Sequence, residues 1–375
     1  MSVNSFTKHE ALIFKTGSNI KLIHRAECCK SIIADGKELI TGNERGPLRV
    51  PELKDEKVYI TFKDDVTDFS DAFLGCTLLT SIPENIFANC PKATDFSGTF
   101  HACDALTVIP EKLFANNPKV IDFGSTFEGC SALKSIPENL FANCPKVTTF
   151  AYTFGGCYVL TSIPENLFAN NPKVTDFSGT FWKCSALTSI PENLFAKNPN
   201  VTDFTYTFID CSSLTTIPEN LFANNPEVTD FLGTFEGCSA LTTIPEKLFA
   251  NCPKVTDFSE TFEGCWALKS IPSSLFDNNR KVTSFSGTFS ACSALKSIPA
   301  GLFDNNRKVT SFSETFSGCT AFTGESPYTM IGDKKVHLYE RVNYPEHFTA
   351  PTRFRFCFEK CTGLTDYAQI TSYWK

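Results

Sequence analysis

A cysteine returns every 27 residues through most of this chain, at Cys76, Cys103, Cys130, Cys157, Cys184, Cys211, Cys238, Cys265, Cys292 and Cys319. Each has a Phe seven residues before it and another three before it, and all but the last have a Leu three after. A period of this length leaves few folds open. One unit is too short to bury an apolar face alone, so successive units must stack and share a continuous interior. The expectation is a repeat solenoid, mixed β with short helical turns, of about ten turns capped at both ends.

One unit serves for all. Residues 173–177 (Lys-Val-Thr-Asp-Phe) are expected as a strand with Val174 and Phe177 turned inward. Residues 180–185 should form a tight helical turn that drops Phe181 and Cys184 into the core, and Leu187 to Ile190 a second short strand. Pro191 opens a second helical turn, since Pro suits a first helical position and the Glu that follows suits the first turn. Nine of the ten turns carry Thr four residues before the Cys, the first having Ala72. A buried hydroxyl bonded to the backbone explains that column.

Composition excludes several classes. The 37 Phe among 375 residues follow from the repeat, which spends about three on interior positions per turn. Net charge is −7, with Lys and Arg dispersed rather than striped, which argues against nucleic acid. No run approaches the ~20 apolar residues of a membrane span. The N-terminus, from Met1 past His9, lacks a basic segment followed by an apolar core, so no secretory signal is read there. Ten of the 17 Cys sit between Phe and Leu in one column, which favours reduced, buried thiols over a ladder of disulfides.

The order Val-x-x-Phe, then Phe-x-x-Cys-x-x-Leu-x-x-Ile-Pro-x-x-Leu-Phe, resembles a leucine-rich repeat. It is most similar to the BspA-like bacterial surface-antigen type, and the likeness covers about 255 residues. Two departures are plain: the unit is longer than is usual for that type, and the secretion signal is missing. The resemblance implies a cell-surface or extracellular adhesion protein, with cytoplasmic residence or non-classical export left open by the N-terminus.

Outside the repeat, residues 1–60 read as a small β-rich cap, with β-branched or aromatic runs at 11–14, 20–23 and 57–62. Its adjacent Cys28 and Cys29 have no partner pair at ligand spacing, so packing is their expected role. Residues 61–322 are the array. Residues 323–375 hold a polar insertion and one degenerate repeat about Cys361, with Phe354, Phe358 and Leu364 in register.

The chain carries no recognisable catalytic motif. Its five His fall at no metal spacing, and no phosphate loop or nucleophile elbow is present. Neither metal nor cofactor is expected. The Asp column (Asp68, Asp95, Asp122, Asp176, Asp203, Asp230, Asp257) could be drawn as a cation ladder, but a Lys three residues upstream in most turns suggests rows that offset each other on an exposed face.

The repeats disagree in only a few columns, and there they collect large residues: Tyr152, Tyr158, Trp182, Tyr206, Ile209, Leu232 and Trp266. Those are types that dominate binding hot spots. The exposed Pro-Glu-Asn segment, by contrast, hardly changes through seven turns. The expected function is therefore a non-enzymatic binding protein, a monomer that offers this surface to a protein or glycan on another cell or surface. The alternatives are a structural spacer, which the uniform turns after Ser273 would suit, and an enzyme with a site in a terminal region.

Overall fold

The computed structural model describes residues 11–41 and 44–375. The reading of the extreme N-terminus, His9 included, lies outside the described residues. Two compact units divide the chain: one runs to Asp176 and includes Thr180–Cys184, and the other comprises Phe177–Gly179 and Ser185–Lys375.

The first unit begins with strands β1 (Leu12–Phe14), β2 (Ile20–Ile23), β3 (Cys29–Ala34), β4 (Lys37–Glu38), β5 (Leu48–Val50) and β6 (Lys57–Phe62). The three runs expected to be extended are β1, β2 and β6. A further strand, β7 (Leu79–Ser81), comes from the first repeat. It closes a sheet of order β4-β3-β6-β1-β7, with Ile13 opposite Ser81 and Leu12 opposite Val58, while β2 pairs with β5. Cys28 and Cys29 are buried, and burial raises both thiol pKa values.

The repeat backbone corrects three expectations. The first strand of each turn shrinks to single parallel bridges, such as Asp95 with Asp122 and Asp230 with Asp257. The tight helical turn is instead a ribbon that bonds alternately inward and onward. In the first unit His101 N donates to Gly98 O (2.9 Å) and Cys103 N to Phe100 O (3.1 Å), within the turn. Between them, Phe96, Gly98, Phe100 and Ala102 donate to Asp122, Gly124, Thr126 and Glu128 of the next turn, at 2.7–3.0 Å. Two residues per turn adopt positive φ, here Gly98 (59°) and Ala102 (55°), and that alternation prevents both helix and strand. The second expected strand forms only at β7, where β1 supplies a partner. The Pro-Glu-Asn segment likewise holds separate i to i+3 bonds, Ala196 N to Asn193 O and Asn198 N to Phe195 O, rather than a helix.

The interior is as expected. Phe columns stack turn on turn in both units: Phe96 on Phe123 at 5.9 Å and Phe100 on Phe127 at 5.5 Å in the first, Phe231 on Phe258 at 5.7 Å in the second. These separations suit offset stacking of rings on backbones that repeat every ~4.8 Å. The Thr hydroxyls lie between two carbonyl oxygens, as Thr126 Oγ1 does with Phe96 O and Phe123 O. All 17 Cys are buried and none is bridged, and those of the repeat column point their sulfur at a carbonyl of the turn before, such as Cys238 at Phe208 O (3.2 Å).

A second polar ladder was not anticipated. Asn117 Nδ2 donates to Phe87 O and Cys90 O, and Asn225 Nδ2 to Phe195 O and Asn198 O, with Cys144 and Cys252 taking that place in other turns. The ladder ends on Asn306, whose carbonyl receives Arg341 Nη1 while Phe303 O receives Arg341 Nη2. Arg341 thus makes the two bonds that the Asn of a further turn would make. It is buried, lies 4.3 Å over the ring of Phe348, and belongs to a 3₁₀ helix (Leu338–Asn343) that follows the hairpin β8 (Tyr328–Ile331) and β9 (Lys334–His337). The repeat then resumes, with Phe316 N donating to Cys357 O.

Candidate functional site

The variable columns flank the ribbon, and its geometry explains part of their variation. The position two after the first Phe has positive φ in every turn, so glycine is the unstrained occupant. Larger residues nevertheless stand there at Asp71, Tyr152, Tyr206, Glu260 and Glu314. Where one does, the next turn often has glycine beneath it. A Cβ on Gly233 would lie 2.4 Å from the Tyr206 ring, and one on Gly98 would lie 2.2 Å from the Asp71 carboxylate. Tyr206 therefore lies along the stack, half-buried over Gly233.

The first unit brings together Tyr152 and Trp182, edge to face at 6.2 Å, with Lys183 Nζ 4.6 Å from the indole centre. Trp182 also rests against the backbone at Gly155. Tyr152 borders a hollow of about 400 Å³ whose floor is small, Gly98, Gly124, Ser125 and Ala151, and whose rim adds His101 and Asp122. Tyr158 is 49% exposed.

In the second unit Ile209 and Leu232 are half-buried and Trp266 is 61% exposed. Acidic side chains collect there. Burial, reinforced by Glu263, Glu260 and Asp210, pushes the Glu236 carboxyl up to about 7.

The Asp column differs from the expected exposed row offset by Lys. Asp95, Asp122 and Asp230 are half-buried, and each accepts the amide two residues on, as Asp122 Oδ1 does from Gly124 N. Burial raises Asp122; the Gly124 amide draws it back, while Asp95 and Asp176 push it further up. These carboxylates shape the turn. Among the described residues no group of three His, Cys, Asp or Glu is placed to hold a metal ion, and no helix is long and apolar enough to cross a membrane.

The polar insertion brings together residues that no catalytic motif in the sequence joined. Ser326, His337 and Asp366 meet there, all buried. Ser326 Oγ donates to Asp366 Oδ2 and lies 2.9 Å from His337 Nδ1. A hydroxyl has one proton, so His337 is the donor to that oxygen, the reverse of the polarity that activates a nucleophile. With Ser326 N also held by Asp366 Oδ1, the cluster pins the insertion to the last turn. Its residues are too far apart in sequence for spacing to reveal it.

The model of the BspA type leucine rich repeat region, six copies long, matches residues 80–256 and 161–326, well over half of the chain. The chain belongs to that family. No curated protein matches this BspA-type chain. It is similar to a solved leucine rich cell surface protein of Faecalibacterium prausnitzii, at 17% identity over 84% of this chain and 93% of that one, with a TM-score of 0.34. A leucine-rich repeat protein of Bacteroides ovatus gives 23% identity, 72% and 83% coverage and a TM-score of 0.20. A chain of the Drosophila Toll–Spatzle complex gives 16% identity over 62% of this chain, with a TM-score of 0.35, and the match spans 38% of its length.

Proposed function

We propose that this BspA-type protein is a non-enzymatic adhesion or receptor protein of the cell surface that binds a protein or glycan. The aromatic columns would carry the contact: Tyr152, Tyr158 and Trp182 in the first unit, and Tyr206, Ile209, Leu232 and Trp266 in the second. In this reading the chain acts as a monomer of about ten turns, residues 61–322, with the regions 1–60 and 323–375 covering its ends. The Arg341 termination of the Asn ladder supports the second of these covers.

One observation carries the binding reading. Tyr152 and Tyr206 have φ of 55° and 56°, where a bulky side chain costs on the order of 1 kcal/mol or more that glycine avoids. The turns on both sides of Tyr206, and the one after Tyr152, use Gly at that place, so tyrosine is held against the backbone's preference. Strain of this kind collects at functional positions. The exposure of Tyr158 and Trp266 adds ring surface that loses little freedom on contact.

The test is a triple substitution, Trp182→Ser, Tyr206→Ser and Trp266→Ser, compared with the native chain on a glycan array and on immobilised surface extracts. The fold should persist, because other turns hold Ser at or beside these columns. Binding should fall about tenfold or more, roughly 1.4 kcal/mol. Unchanged binding by a folded triple variant would favour a spacer instead.

A further inference from the structure

Lysines that look scattered along the chain fall into a row once the turns are stacked. Lys92, Lys119, Lys146 and Lys173 take the same place in four successive turns of the first unit, eleven residues before the ribbon cysteine. All four are exposed. The residue after each, Ala93, Val120, Val147 or Val174, is buried, so the extended backbone turns every one of the lysines outward. Neighbouring turns lie ~4.8 Å apart, which sets the four stems along about 14 Å of one edge. The carboxylates that could have offset them are committed elsewhere. Asp95 accepts from Ser97 N, Asp122 from Gly124 N and Asp176 from Thr149 Oγ1, while Thr149 itself stands where the turn of Lys146 would carry its Asp. None of the four lysines is ion-paired among the described residues.

Like charges on adjacent rungs repel, and the backbone does not demand Lys at this place. Asn200 and Glu227 fill it in the second unit, where Glu227 pairs with Lys254. We propose that this edge of the first unit binds a linear anionic polysaccharide, one that carries a sulfate or a carboxylate on successive sugars. A sugar unit in an extended chain is comparable in length to the rise of a turn, so anions on consecutive units meet consecutive lysines. Pro91, Pro118, Pro145 and Pro172 are exposed next to them in the chain and offer apolar surface to the C–H faces of the rings. Other polyanions fit less well. Single-stranded nucleic acid calls for aromatic rings among the cations, and this row has Pro and Thr instead. A duplex would bring its phosphates against a chain of net charge −7, within the ~10 Å over which charges are poorly screened. The row precedes the ribbon and shares no residue with the aromatic columns.

The probes are fluorescent heparin and polygalacturonate oligosaccharides of equal length, titrated into the whole chain by anisotropy at low and at physiological salt. Saturable binding of at least one is expected, weaker at the higher salt, and which of the two binds tells sulfate from carboxylate. Lys119→Glu with Lys146→Glu should lower the affinity about tenfold or more. Lys112→Glu with Lys134→Glu makes the same change of net charge at exposed lysines outside the row. That pair should cost less than about twofold, because charges off the row are screened. The Ser variants of Trp182, Tyr206 and Trp266 should bind both probes unchanged, so failure here and failure of the adhesion reading are distinguishable. Binding of neither probe overturns the proposal. So do equal losses in the two double variants, which would leave net charge alone as the cause. Tighter binding of a poly-Glu peptide or a single-stranded oligonucleotide overturns it too, by making the partner another class of polymer. If the Glu variants misfold, Lys119→Gln with Lys146→Gln carries the same test.

Discussion

Glu236 shows what a crowded carboxylate does to a repeat surface. Its folded pKa of about 7 stands above the ordinary 4.5, so the folded chain holds a proton there that the unfolded chain has released. Between those two values stability therefore falls as pH rises, and the favourable contribution is complete only below about 4.5. Half-burial leaves the group partly screened, so the effect is best read as a difference between variants. Native protein should lose more melting temperature between pH 5 and 7.5 than Glu236→Gln does. Parallel pH profiles for the two would discard the crowding argument. Glu236, Glu260 and Glu263 stand in the same variable columns as Trp182, Tyr206 and Ile209. Their mutual pressure was not legible, because proximity between turns depends on a ribbon conformation that one unit's sequence does not spell out.

At the scale of the columns, the interior was readable and the backbone was not. Regular Phe, Cys, Leu and Thr spacing was enough to place Phe181, Cys184 and Thr180 inside. The helix and strand readings failed because two left-handed residues per turn interrupt any regular run, and residues as unlike as Gly98, Tyr152 and Glu260 occupy one of those places. The Asn ladder escaped notice because Asn in an Asn-Pro pair reads as turn chemistry. The buried cysteines give a direct check. Burial raises the Cys184 thiol to about 12, so the thiolate that reacts is nearly absent at neutral pH. Native protein should resist thiol reagents, with all 17 groups titrating after unfolding, and reductant should leave the melting temperature almost unchanged. Rapid labelling of several thiols in the native state would contradict the packed columns.

For the molecule as a whole, neighbour contacts set stability, so turns behave as exchangeable parts only if each finds an acceptable neighbour. The ring of Tyr206 above Gly233 makes that condition specific. From residue 152 onward the left-handed place reads Tyr152, Gly179, Tyr206, Gly233, Glu260, Gly287, Glu314, large and small in strict alternation. The backbone therefore repeats every turn while the packing at this place repeats every second turn. Excising residues 217–243 removes one turn and sets Glu260 beneath Tyr206, where a Cβ has no room. Excising 217–270 removes two turns and restores a glycine, Gly287. The shorter product is expected to melt at the higher temperature, although each lost turn alone would lower it; the opposite order would show that the pairing carries no weight. A gene that lengthens or shortens by recombination among such near-identical segments should accordingly change its count of turns in even steps, and parity, rather than length, would be what selection sees first.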